Sequence, residues 1–364
     1  MSRILTCTWA YNSMGRPQLV EGQDGSVNTD YVDRHGRELY EPMLARVQSA
    51  EEMGIDYVLV AQRWWGTGQE MEASSYDCLA MTAFYAAHFH RINFITAIHP
   101  GFLSPAPIAK WGATIDRLTG GRWKLHVTSG WHEAEFGMYG AELLEHDERY
   151  ARSTEFIQVM RGAWEQPQFS FEGRFYKVEG LRLEPRPVQP KLEVFQGGQS
   201  HAAMDMAACN SDWMFLNGGT PSKIKEIIES VRQRTAVTGR RVRFVMNATP
   251  LCRSTDEQAE AELASMLDSV DPGLLERRKL KVREAEGMWS SPEEKITMLD
   301  TNEGYASRLI GSPDTIRERM LEFHHIGVDC FLLNLQDDRF NREVLPPISS
   351  NSHQHDDHTS IGSA

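Results

Sequence analysis

Residues 36–62, GRELYEPMLARVQSAEEMGIDYVLVAQ, carry the alternation that decides the fold. Leu39, Met43, Val47 and Ala50 recur at spacings of three and four, which places them on one face of a helix over Gly36 to Met53. Gly54 supplies the helix stop. Tyr57 to Ala61 is then a short, continuous apolar run, the composition of a parallel strand covered on both faces. Outward from this unit the pattern repeats. Further strand candidates are Ile4 to Trp9, Ile92 to His99, Trp123 to Thr128, Leu192 to Gln196, Trp213 to Asn217, Val242 to Thr249 and Val328 to Leu335. Helical patterns lie between them over Asp147 to Trp164 and Ser222 to Thr238. A last helix opens at Ser312-Pro313-Asp314, with Ser312 as N-cap and Pro313 in the first turn. Eight β-then-α units predict an α/β protein built as a (β/α)8 TIM barrel with insertions. A doubly wound sheet is the competing layout, but Thr8-Trp9-Ala10-Tyr11-Asn12 after the first strand is not the Gly-rich phosphate turn such a sheet tends to carry.

Three stretches break the rhythm. Phe169 to Pro185 alternates with period two about Glu172-Gly173 and predicts a hairpin insertion. Asp271 to Tyr305 is charged and weakly periodic, and is too long for a plain connection, so a lid-like excursion is expected there. The polar residues 349–364 predict a disordered tail, leaving 1–348 as one barrel domain.

Composition narrows the function classes. The 38 basic and 51 acidic residues give a net charge of −13, which offers no basic field for nucleic acid. No apolar run reaches the length of a membrane span, and Met1-Ser2-Arg3-Ile4-Leu5 runs straight into strand-like sequence without a signal-peptide core. Five scattered cysteines without a C-x-x-C pair read as reduced thiols of a cytoplasmic protein, and no metal site is expected. His88-Phe89-His90 and His324-His325 lack facing ligands at metal spacing.

In a barrel the active site lies at the C-terminal ends of the strands. That rule selects Trp9 and Tyr11 after the first strand, and Gln62, Arg63, Trp64 and Trp65 after the second. His99 follows the third; His126, Trp131 and Glu135 belong to the fourth strand and its loop. Gln196-Gly197-Gly198-Gln199-Ser200 ends the fifth strand and opens a helix. Its bare glycines and free N–H groups suit a phosphate, and suit equally a tight βα turn with Ser200 as N-cap. Arg149 and Tyr150 start a long helix, where Arg149 is either a phosphate clamp or one surface charge among acids. His126 is either a barrel-lining donor or a satisfied core imidazole. Trp9, Tyr11, Trp64, Trp65, Trp131 and Trp213 lie near strand ends and offer flat apolar walls for a flat ligand.

Four blocks in order carry a family resemblance: ATIDRLTGGRWKLHVTSGW (113–131) with Glu135-Phe136, LEHDERYARSTEFI (144–157), VFQGGQSHAAMDMA (194–207) and SRLIGSP (307–313). Over roughly residues 1–347 the chain resembles the luciferase-like, reduced-flavin-dependent monooxygenases, most closely the dimethyl sulfone monooxygenase type. The resemblance implies a TIM barrel that uses reduced FMN (FMNH2) and O2, with the flavin supplied by a separate NAD(P)H-dependent flavin reductase. It implies flavin contacts from Gln62, Arg63, Glu135, Arg149, Tyr150, Gly198 and Ser200, with His126 where ring-opening relatives carry Asn. His126, His99 and Trp131 are the catalytic candidates; Trp9, Tyr11, Trp64 and Trp65 form the expected substrate pocket. The activity implied is a two-component monooxygenase, an oxidoreductase cleaving a C–S bond of a small sulfone or sulfonate. The alternative is oxidative cleavage of a heteroaromatic substrate, a pyrimidine or a second flavin such as riboflavin. A non-catalytic flavin-binding protein and a deazaflavin-dependent dehydrogenase are the readings from other classes. Two features depart from the pattern: Arg63-Trp64-Trp65-Gly66-Thr67-Gly68 replaces a lighter loop, and Asn302 to Arg308 holds only Arg308 where alkanesulfonate enzymes have an Arg-bearing mobile loop. A homo-oligomer, dimer or tetramer, is expected.

Overall fold

The computed structural model describes residues 3–12, 34–66, 74–284 and 294–349. Eight strands close into a parallel barrel: β1 (Leu5–Trp9), β2 (Tyr57–Val60), β3 (Asn93–Ile98), β4 (Trp123–Val127), β5 (Val194–Gly197), β6 (Trp213–Leu216), β7 (Arg243–Ala248) and β8 (Cys330–Leu333). Each pairs with its sequence neighbours, and β1 closes the ring on β8 with Leu5 opposite Cys330. The strands are almost wholly buried because both faces are covered: helices outside, packed side chains within.

Two apolar layers hold the barrel. The outer one sets Val58, Val60, Phe94, Leu125 and Val194 against the surrounding helices. The inner one fills the barrel with Cys7, Tyr57, Ile95, Phe195, Trp213, Val245 and Leu332. Within it Phe195 stacks on Trp213 at 5.0 Å, and Tyr57 meets Trp213 edge-on at 6.2 Å. Burying each large apolar side chain contributes about 1.5–3 kcal/mol, so this plug is a rigid floor beneath the mouth. Trp213 therefore belongs to the floor, at the start of β6, and not to the mouth.

Helix ends follow local chemistry. The helix Gly36–Glu52 buries Met43, Val47 and Ala50. Ser312 caps Pro313–Ile326 by accepting from the Thr315 N–H, and Thr220 caps Pro221–Thr238 in the same way. Phe169–Glu172 and Lys177–Leu181 pair antiparallel outside the barrel. After β7 the chain leaves through Asp256–Asp268 and Pro272–Glu284, and is anchored on its return by a short parallel pairing of Leu251–Cys252 with Ile310–Gly311. Part of the Asp271 to Tyr305 excursion, and the tail beyond Ser349, lie outside the described residues. Among the described residues no helix is long and apolar enough to cross a membrane.

Candidate active site

A cavity opens at the C-terminal ends of the strands. Nearly all of the strand-end residues selected from the sequence line it: Trp9, Gln62, Arg63, Trp65, His99, His126, Trp131, Glu135, Arg149, Tyr150 and Gly198. A second depression, lined by Arg232, Arg241 and Asp329, lies at the opposite ends of the strands, away from all of these groups.

Each side chain is placed by the element that precedes it. β2 ends at Val60 and delivers Gln62, whose Oε1 accepts the His99 N–H at 2.9 Å; its buried Nε2 has no partner among the described residues. Arg63 is held through its backbone N–H, which donates to Ser75 Oγ at 2.9 Å, leaving the guanidinium in the cavity wall. β3 delivers His99 and β4 delivers His126, which lies edge-on to Phe215 at 4.8 Å. Burial first, with Arg63 and Arg152 nearby, pushes the His99 imidazole down to about 3. Burial and then His99 itself bring His126 to about 3. Both rings are neutral at neutral pH, and the Nδ1 of each lacks a partner among the described residues.

The loop after β4 forms the next part of the wall. His132 caps Glu133–Met138 by accepting the Glu135 N–H at 3.1 Å, and its ring stacks on Trp65 at 4.0 Å. Trp131 meets Trp65 edge-on at 6.1 Å. Glu135 is buried and its carboxyl accepts the Trp64 N–H at 2.7 Å. Burial raises its pKa above the ordinary carboxylate value, against that hydrogen bond and the charge of Arg63. Beyond it, the first turn of His146–Glu165 turns Arg149 inward, where it donates to the Gly130 carbonyl at 2.9 Å. Tyr150 is half-buried; burial raises its phenol pKa, against the nearby Ser200 hydroxyl and the charge of Arg149. Gly198 takes φ +111, and a Cβ there would sit 2.4 Å from the Tyr150 hydroxyl, so only glycine leaves this cradle open.

Three sequence-selected residues are not brought to the wall. Tyr11 has a left-handed backbone, φ +54, and its ring packs under the Arg46 guanidinium at 4.9 Å. The Trp64 ring is drawn off by Phe102 and Tyr139, at 5.4 and 5.1 Å. Neither is among the residues lining this cavity. Ser200 stands behind Tyr150 and caps His201–Asn210 by accepting from the Ala203 N–H, as in its simpler sequence reading. Asn247 and Asn302 line the cavity and were not selected. Asn247 was available as an inward polar residue near the end of an apolar strand, whereas Asn302 gives no local signal.

A closed parallel barrel whose polar side chains converge at the strand C-terminal ends has the layout of a TIM-barrel enzyme. The chain belongs to the luciferase-like monooxygenase family, whose model matches residues 24–330. It is 39% identical over 313 residues to the FMNH2-dependent dimethylsulfone monooxygenase of Pseudomonas putida, covering 82% of this chain and 85% of that one. It is 38% identical to the protein of the same name from Pseudomonas fluorescens (strain Pf0-1), covering 82% and 84%. The fold is similar to that of an EDTA monooxygenase from Chelativorans sp. BNC1, with a TM-score of 0.73, 19% identity and 96% and 94% coverage.

Proposed function

We propose that this chain is the oxygenase of a two-component system that uses FMNH2 and O2 to cleave a C–S bond of a small sulfone. For dimethyl sulfone, atoms balance as sulfone plus O2 plus FMNH2 giving methanesulfinate and a proton, formaldehyde, water and FMN. The observation that carries this reading is the convergence of Arg149, Tyr150 and the Gly198 cradle on the cavity that also holds Gln62, Arg63, His99 and His126.

The residues fit a flavin mononucleotide. Arg149 supplies a planar cation for the phosphate, and the Gly198 to His201 backbone, opening a ten-residue helix, supplies neutral donors. Tyr150 completes that end. Gln62, with an unsatisfied buried amide nitrogen, and Arg63 and Glu135 offer partners for the polar edge of the ring. Bound reduced FMN supplies two electrons and the place where O2 is activated. The chain does the rest. Trp65, Trp131 and Trp9 exclude water. His99 and His126, held as neutral imidazoles, can each donate or accept a hydrogen bond in that dry space. The tryptophan walls also suit a flat heteroaromatic substrate, which is the second reading. The reductase partner, a homo-oligomeric state and a cytoplasmic location complete the proposal.

The test is oxygen uptake with FMN kept reduced by a flavin reductase, across sulfones, sulfonates, pyrimidines and riboflavin, with product identification. The expected result is uptake that depends on sulfone and forms aldehyde in step with it. Oxygen consumption that yields only hydrogen peroxide with every compound contradicts the reading.

A further inference from the structure

The cavity wall is chemically divided. Its ionisable side chains, from Arg63 to Tyr150 in sequence, come from the ends of β2 and β3, from β4, and from the segments after β4. The opposite wall, built by β6, β7, β8 and β1, carries no ionisable side chain among the described residues. Besides the Trp9 indole, its polar side chains are three carboxamides, Asn217, Asn247 and Asn302, set beside Phe215 and Leu332.

Asn302 reaches this wall on a strap that returns from the excursion after β7, and the strap is fixed from both sides. The Asn302 carbonyl accepts from the Gly218 N–H at 3.0 Å and from Asn247 Nδ2 at 3.1 Å. Asn302 Nδ2 reaches Asn217 Oδ1 only at a long 3.4 Å. Beneath, the buried Asp300 carboxylate accepts the Gly304 N–H at 2.7 Å and the Thr249 hydroxyl. From the far side Arg278, on helix Pro272–Glu284, donates to the carbonyls of Asp300 and Thr301, both at 2.9 Å. The strap packs so closely that a Cβ on Gly218 would lie 1.9 Å from the Glu303 carbonyl oxygen. These contacts anchor the strap where Asn302 lines the cavity.

We infer that Asn217, Asn247 and Asn302 form a recognition corner for a neutral, doubly oxygenated group, a sulfonyl, and that Arg278 is the positioning residue that holds Asn302 there. Amide N–H groups donate to sulfonyl oxygens, while Phe215 and Leu332 cover the attached methyl groups. A sulfonate anion entering the same wall gives up its hydration without meeting a cation, so the corner discriminates against it. This assignment rests on the sulfone reading above.

The experiment measures dimethyl sulfone binding to the full chain with FMN present, by ligand-observed NMR, beside KM from oxygen uptake. The variants are Asn302→Ala, Asn302→Asp, Arg278→Ala and Arg278→Lys. Loss of one buried hydrogen-bond partner predicts sulfone affinity about tenfold weaker in both Asn302 variants, with FMN affinity unchanged. Arg278→Ala is expected to raise KM more than it lowers kcat, and Arg278→Lys to recover part of the loss. Unchanged sulfone affinity in both Asn302 variants overturns the corner. So does wild-type protein that binds no sulfone, or that binds methanesulfonate more tightly. Sulfone binding that depends on Asn302 but gives no turnover retires the reaction reading and leaves the corner standing.

Discussion

His99 and His126 show what the barrel does to single side chains. Each imidazole is held near 3 against an ordinary value of 6.5, by burial above all. The unfolded chain therefore takes up protons first as the solution is acidified. Stability from these groups is complete above about pH 6.5 and falls between 6.5 and 3, by up to about 1.4 kcal/mol per pH unit for each histidine. Urea unfolding at pH 7, 6 and 5 is expected to show this loss, with a shallower slope in His126→Asn; identical slopes in the two proteins contradict the assignment. A pH–rate limb near 6.5 must then come from another group. These two residues were legible because strand ends are legible. The lean of a loop side chain was not. Tyr11 and Trp64, like Trp9 and Trp65, lie at or within a few residues of a strand end, yet Arg46 takes one ring, and Phe102 and Tyr139 take the other. Those partners are distant in sequence, and no spacing rule finds them.

At the scale of elements, the turn from β5 into His201–Asn210 has the tightest requirement. Gly198 combines φ +111 with Cβ approaches of 2.4 Å to the Tyr150 hydroxyl and 3.0 Å to the Ala203 Cβ. Gly198→Ala is expected to displace Tyr150, weaken FMN binding about tenfold or more, and cost about 1–3 kcal/mol of stability. Flavin fluorescence titration and thermal melting check both. Gly197→Ala is the control for folding, since a Cβ there meets His126 only at 3.6 Å, an ordinary contact. Wild-type flavin affinity in Gly198→Ala removes the cradle from the site. The strands themselves were readable: all eight candidates coincide with barrel strands, differing at their ends by one or two residues. Parallel strands covered on both faces are short, nearly unbroken apolar runs, a pattern that survives without any tertiary information. The strap carrying Asn302 had no such signature. Its place is fixed by Arg278, Asp300 and Gly218, which come from three separate segments.

For the molecule as a whole, ring closure ties flavin binding to global stability. The groups assigned to FMN come from β2, β4, β5 and the segments after them, and the ring holding them in register closes only when β1 pairs with β8. A partly opened barrel cannot present them together, so FMN should bind the folded state alone. A ligand of that kind stabilises by about 2.7 kcal/mol at one hundred times its Kd. The melting temperature of the wild type is therefore expected to rise with FMN concentration. Arg149→Ala removes a charge-assisted contact of about 1.5–3 kcal/mol, a loss of roughly 10- to 150-fold in affinity. Were the loss a hundredfold, the same FMN concentration would stabilise the variant by only about 0.4 kcal/mol. Thermal melts of the two proteins with and without FMN measure the difference directly. A wild-type melting temperature indifferent to FMN, or an equal shift in both proteins, removes Arg149 from the flavin site and with it the anchor of the proposed function.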